Sequence, residues 1–170
     1  TQTRIFPATD QTVSSDLERG NAYVYGSWRV VDPIRLLAGV SYDHITYPVN
    51  LDLPPLSTGE TSRDLWSPKA GLLLEPWHRG LLRASYTKSL GGLYFDNSVR
   101  LEPTQVGGFN QAFRSLIPES VVGLVPGTEF ETVGVGFDQS FASGTWFGVE
   151  AVRLDSSGER DVGAFNGFGV

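Results

Sequence analysis

The stretch Asn21-Ala-Tyr-Val-Tyr-Gly-Ser-Trp-Arg-Val-Val31, then Asp32-Pro33, then Ile34-Arg-Leu-Leu-Ala-Gly-Val-Ser-Tyr-Asp43 decides how this chain is read. Ala22, Val24, Gly26, Trp28 and Val30 alternate with Tyr23, Tyr25, Ser27 and Arg29. Side chains on a strand point to opposite faces with a period of two, so one face here is apolar and the other polar. Asp-Pro supplies turn chemistry, because proline presets φ for a tight turn and has no N–H for a ladder. The stretch predicts a long two-stranded hairpin.

The rhythm recurs twice. From Leu65 to Leu90, Trp66, Pro68, Ala70, Leu72 and Leu74 alternate with Ser67, Lys69, Gly71, Leu73 and Glu75. After a turn at Pro76-Trp-His-Arg-Gly80, Leu82, Ala84 and Tyr86 alternate with Arg83, Ser85 and Thr87. The third hairpin covers 129–154, with Val133, Val135, Phe137 and Phe141 on one face. It turns at Ala142-Ser-Gly144 and returns through Phe147, Val149 and Ala151. Polar loops are expected at 48–64, with Pro54-Pro55, and at 155–170, while residues 1–18 read as the end of another loop. Long alternating strands with short turns at one end and long loops at the other are the pattern of a membrane-spanning barrel. The expected fold is all-β: an antiparallel up-and-down meander of about six long strands, one segment of a transmembrane outer-membrane β-barrel. All 170 residues are expected to form this partial barrel, with hairpins at 19–47, 65–90 and 129–154.

Residues 91–128 are harder to place. Gln105 to Arg114 has the length of a seventh strand, but one extra strand would put the Ala142–Gly144 turn on the long-loop side. One long excursion keeps all short turns together. Val106, Phe109, Phe113 and Leu116 have helical spacing, with Pro103 near a helix start, so a short helix is expected there although Gly107-Gly108 weakens it.

Composition narrows the function. The net charge of −6 and pI near 4.8 oppose nucleic-acid binding, which needs a basic footprint. No Cys is present, which removes disulfides, thiolate metal sites and cysteine nucleophiles together. No run approaches the roughly 20 apolar residues of a membrane-spanning helix, as expected where only alternate residues meet lipid. Thr1-Gln-Thr-Arg-Ile-Phe6 is not a signal peptide, and a start without Met reads as an internal piece of a longer chain. Trp28, Trp77, Phe141 and Trp146 fall near the short turns, while Tyr42, Tyr47, Trp66, Tyr86 and Tyr94 fall toward the long loops. Two such bands match the aromatic belts of a membrane protein, and aromatics are also common in soluble strands.

No Gly-x-Ser-x-Gly elbow, HExxH pair or phosphate-cradling glycine loop occurs, and no catalytic residue, cofactor or metal is expected. Ser41, Asp43 and His44 look like a triad, but neighbours on a strand face opposite ways, so Asp43 cannot orient His44. His78 lies at the other end of the strands, and with Arg79 reads as solvated turn. The polar face carries Arg29, Arg35, Asp43, Lys69, Glu75, Arg83 and Glu150. These charges are expected to meet water or pair across strands; the alternative is that Lys69 and Arg83 steer an anionic solute. Leu93, Tyr94, Phe95, Phe109 and Phe113 are expected to pack against the wall, or to touch a ligand from the long loop.

Trp66-Ser-Pro-Lys-Ala-Gly71 followed by Leu81-Leu-Arg-Ala-Ser-Tyr-Thr-Lys-Ser89 resembles the barrel of TonB-dependent outer-membrane receptors. Pro126-Gly-Thr-Glu-Phe-Glu-Thr-Val-Gly-Val-Gly136 and the pair Tyr23–Trp28 with Gly39–Asp43 are similar to further strands of that family. The resemblance covers about 19–155 and implies uptake of a scarce solute, such as a siderophore, cobalamin or glycan, across the outer membrane of a Gram-negative bacterium. It implies outer-membrane lipid as surroundings and a TonB-type coupling protein as partner through regions outside these residues. Neither a plug domain, a coupling box nor a terminal aromatic residue is read in the sequence. Six strands are also too few for a roughly 22-stranded transporter barrel. Leu101-Glu-Pro-Thr-Gln-Val106 is similar to receptor-like barrels attached to tetratricopeptide-repeat proteins, where the role would be an anchor or export pore. A soluble β-sandwich binding module is the third reading.

Overall fold

The computed structural model describes residues 16–49, 59–91, 100–114 and 126–159. Alternation becomes strands where it was strongest: β1 (Glu18–Val31), β2 (Ile34–Pro48), β3 (Glu60–Leu74) and β4 (Gly80–Gly91). Two short strands follow, β5 (Gln105–Val106) and β6 (Phe109–Asn110), then a 3-10 turn at Ala112–Arg114. β7 (Thr128–Ser140) and β8 (Trp146–Ser157) complete the set. The six long strands form one antiparallel sheet in the order β1-β2-β3-β4-β7-β8. This is the expected meander, and β4 pairs directly with β7 because the segment between them leaves the sheet.

Register fixes which residues share a face. Tyr25, Gly39, Lys69, Thr87 and Thr132 form one row across five strands. Val24, Val40 and Pro68 form the adjacent row on the other face. The β2–β3 ladder runs the whole length from Ile34↔Leu74 to Pro48↔Glu60, whereas β3 and β4 pair only from Lys69↔Thr87 to Leu74↔Leu82. Beyond Lys69 the two strands part toward the long-loop end, and Arg63 of β3 reaches Glu129 of β7 at 3.6 Å. The first tight turn is tied to the second by Glu75 N–H donating to Pro33 O at 2.8 Å. A register shift between Arg29 and Val31 absorbs one extra residue beside the first turn.

The two faces differ in kind. One carries exposed apolar groups, among them Val24 at 63%, Trp66 at 64%, Trp28, Val133 and Val135. The other buries polar groups: Ser41, Asp43, Ser67, Lys69, Thr87 and Thr132. These are called the outer and inner faces below. Among the described residues, buried apolar side chains are few: Ile45 and Leu90 with Leu17, Tyr47 and Leu65 near the long loops, Phe130 of β7, and Val106, Phe109, Ala112 and Phe113 of the segment that lies on the inner face.

Three expectations need correcting. Val106, Phe109 and Phe113 do not form a helical face, because β5 and β6 make a hairpin with Val106 paired to Phe109. Its turn is Gly107 and Gly108, both at positive φ (60° and 83°), which glycine adopts at low cost and which a two-residue hairpin demands. Tyr47 belongs to the inner cluster and not to an outer aromatic belt, since it follows Ile45 on the inner face. Trp146 follows the alternation of Glu150 and Gly148 onto the inner face, where it is 80% exposed. The expectations for Leu93, Tyr94, Phe95 and Leu116, and those for the loops where they fall on residues 1–15, 50–58 and 160–170, lie outside the described residues.

Candidate functional site

On the inner face the segment 100–114 is fastened to the wall by charge. β2 supplies Asp43, fully buried, and β3 supplies Lys69, whose strand alternation places both on the inner side. Arg100 donates through one guanidinium nitrogen to both Asp43 oxygens at 2.9 Å, and through Nε to Glu102 Oε2 at 2.9 Å. Arg100 also donates to Leu90 O at 3.1 Å. Lys69 Nζ stands 3.0 Å from Glu102 Oε1 and donates to Gln111 Oε1. Arg19 and Asn21 of β1 each donate to Asp43 Oδ1 at 2.8 Å. Tyr25 donates its hydroxyl to Glu102 and accepts from Gln111 Nε2 at 3.0 Å.

Among the described residues, Arg19, Lys69 and Arg100 face Asp43 and Glu102. The face of Phe113 adds to the stabilisation of the cations: Arg100 Cζ lies 3.9 Å from the ring centroid and Lys69 Nζ 5.6 Å. Burial opposes the charge on Glu102, yet Lys69, Arg100 and the Tyr25 hydroxyl outweigh it and hold its carboxyl below the usual range. Glu102 is therefore an anion at neutral pH. Below it, toward the short turns, the hairpin sits in a socket of small residues. A Cβ built on Gly71 would meet Gly107 N at 3.1 Å, and one on Gly134 would meet the Phe109 ring at 2.6 Å. Arg83 closes the socket, donating to Gly108 O at 3.1 Å and to Asp138 at 2.6 Å, with its guanidinium 4.9 Å from the Phe109 ring centroid.

These contacts settle several expectations about individual residues. With segment 100–114 in place, Lys69 has no exposed side-chain surface and Arg83 is largely covered, and both hold the inserted segment. Asp43 and His44 face opposite ways, as their adjacency predicts, and His44 Nδ1 instead lies 2.8 Å from Asp64 Oδ1 on the outer face. Tyr42 donates to the same Asp64 oxygen at 2.6 Å, so Ser41, Asp43 and His44 are no triad. His78 is exposed in its turn. Arg29, Arg35 and Glu75 border an open recess of about 360 Å³ near the short turns, together with Asp32 and Leu73. Among the described residues no group of three His, Cys, Asp or Glu is placed to hold a metal ion. Sequence reasoning missed Arg100, Glu102 and Gln111. The available signal was an Arg and a Glu two residues apart, which share a face in extended chain.

A six-stranded antiparallel arc with an apolar exposed face and a polar inner face, its inner side occupied by a loop segment, defines a piece of a β-barrel wall of the membrane class. The family model described as TonB dependent receptor-like, beta-barrel matches residues 2–147, and the chain belongs to that family. This is a family of outer-membrane transport receptors, not of enzymes. No curated protein and no solved structure matches the chain.

Proposed function

We propose that this chain supplies wall and inner loop to a receptor that imports a scarce solute across the outer membrane of a Gram-negative bacterium. Outer-membrane lipid is then the partner of the outer face, a small siderophore-like or similar solute the ligand, and a TonB-type protein the source of energy through other parts of the molecule. The observation that carries this reading is the inversion of the sheet: exposed Val24, Trp66 and Val135 on one side, buried Asp43 and Lys69 on the other. A β-sandwich module would cover its apolar face with a second sheet, and among the described residues none lies there. Among the described residues no strand pairs with the outer edges of β1 and β8, which fits the same reading, since hydrocarbon tolerates only closed barrels and both edges call for further strands.

Fractionation of cells making the full-length protein tests the proposal. Recovery in outer-membrane fractions, with release only by detergent, is the expected result; a protein found in the aqueous fraction would refute it.

A further inference from the structure

The floor under segment 100–114 differs from an ordinary packed interior. Ser41 and Ser67 are direct neighbours across β2 and β3, and Thr87 and Thr132 across β4 and β7. Their exposures are 1%, 0%, 2% and 6%, and among the described residues none of the four hydroxyl oxygens has a hydrogen-bond partner. Ser89, two residues beyond Thr87, is in the same condition. A buried hydroxyl left unmatched forfeits its hydration for nothing, and native interiors avoid this. The covered arrangement thus carries a cost that wetting the floor would remove.

The fastening has the same character. Arg100, Glu102 and Lys69 gave up hydration to pair, and lifting the segment into water restores it to all of them. On the wall, Asp43 keeps Arg19 and Asn21 as partners without the segment. The uncovered surface would then offer a field of hydroxyls and one ammonium, and no concentration of either charge sign.

We propose that residues 100–114 are a displaceable stopper, and that the hydroxyl floor they cover binds a neutral, hydroxyl-rich solute. The solute assignment rests on the receptor reading above. A solute bound to the floor is compatible only with the displaced form and shifts the population toward it.

Hydrogen–deuterium exchange on the full-length protein in detergent micelles reads this directly. The amides of 105–111 are expected to exchange about 100-fold faster than those of the β3–β4 ladder, as one unit. The variant Ser41→Ala/Ser67→Ala/Thr87→Val removes the floor's preference for water and should slow that exchange about tenfold. Added maltohexaose should speed it, and an anionic oligogalacturonate should not. Protection of 105–111 equal to that of β3 overturns the stopper. Unchanged or faster exchange in the triple variant overturns the role of the floor, and indifference to maltohexaose overturns the solute class. Oxidised Gly71→Cys/Val106→Cys is the control: Val106 Cγ1 lies 3.2 Å from an ideal Cβ on Gly71, and the chain has no cysteine of its own. This lock should abolish the fast exchange and leave the ladder unchanged; fast exchange surviving a complete lock also overturns the stopper. Failure of the receptor reading shows instead in fractionation, whatever the exchange result.

Discussion

On β3 two faces of one strand obey opposite rules. Trp66, Pro68 and Ala70 are exposed, while Ser67, Lys69 and Gly71 between them are buried. A half-buried sheet in water does the reverse, hiding the apolar set and wetting the polar one. The inner face tolerates buried charge because Asp43, Lys69, Arg100 and Glu102 each have an opposite partner and further hydrogen bonds. The outer face tolerates exposed Trp and Val only if what surrounds it is hydrocarbon. The same sequence period thus produces two different chemistries of cohesion, ionic on the inside and solvophobic on the outside.

The contrast can be broken from either side. Asp43→Ala removes the buried carboxylate that Arg19 and Arg100 share, and should cost about 3–5 kcal/mol in urea unfolding of the full-length protein in bilayers. Asp64→Ala, on the exposed outer side, should stay within about 0.5 kcal/mol. A comparable loss at both would erase the distinction between the faces. Val24→Arg and Val135→Arg should each cost about 2–4 kcal/mol where lipid surrounds them, and Ser27→Arg, on the inner face, about 0–1 kcal/mol. Folding yield into vesicles would order the three, and equal tolerance would count against a lipid-facing surface.

Smaller effects sharpen the inner face alone. A Cβ at Gly107 would lie 2.8 Å from Ala84 O, at a φ of +60° that alanine resists. Gly107→Ala should cost about 1–3 kcal/mol of local stability, seen as lost exchange protection in 105–111 with the long strands unchanged. Acid should act last. Glu102 has a lowered pKa in the folded protein, so its contribution is complete above the ordinary glutamate pKa and is lost as pH falls through the depressed value. Protease nicking within 100–114 should therefore stay low as pH drops to the usual carboxylate range and rise below it. Nicking that rises above that range would contradict the pairing of Glu102 with Lys69 and Arg100.

The long strands were legible because alternation in β1, β2 and β3 is uninterrupted and the turns at Asp32-Pro33 and Pro76–Gly80 carry their own chemistry. Direction could be inferred as well, since an extra strand between β4 and β7 would have reversed the last hairpin. The site was less legible for a physical reason. Val106, Phe109 and Phe113 satisfy helical spacing by coincidence, and the glycine pair between Val106 and Phe109 is a hairpin signal of equal strength. Arg100 and Asp43 are 57 residues apart, so their pairing depends on register and on the path of a loop, which periodicity does not encode. Trp146 and Tyr47 show a related limit: position along a strand gave their height, but only parity gave their face.

The short β3–β4 ladder has a mechanical consequence. A sheet bends most easily where the fewest backbone hydrogen bonds cross, so the wall behaves as two stiff panels, β1–β3 and β4–β8, joined by a hinge of six residue pairs. The β5 hairpin arm touches both β3 and β4, so segment 100–114 lies astride that hinge. Any flattening or rounding of the closed barrel would be concentrated there, and would be felt as a change of grip on the segment that bridges it.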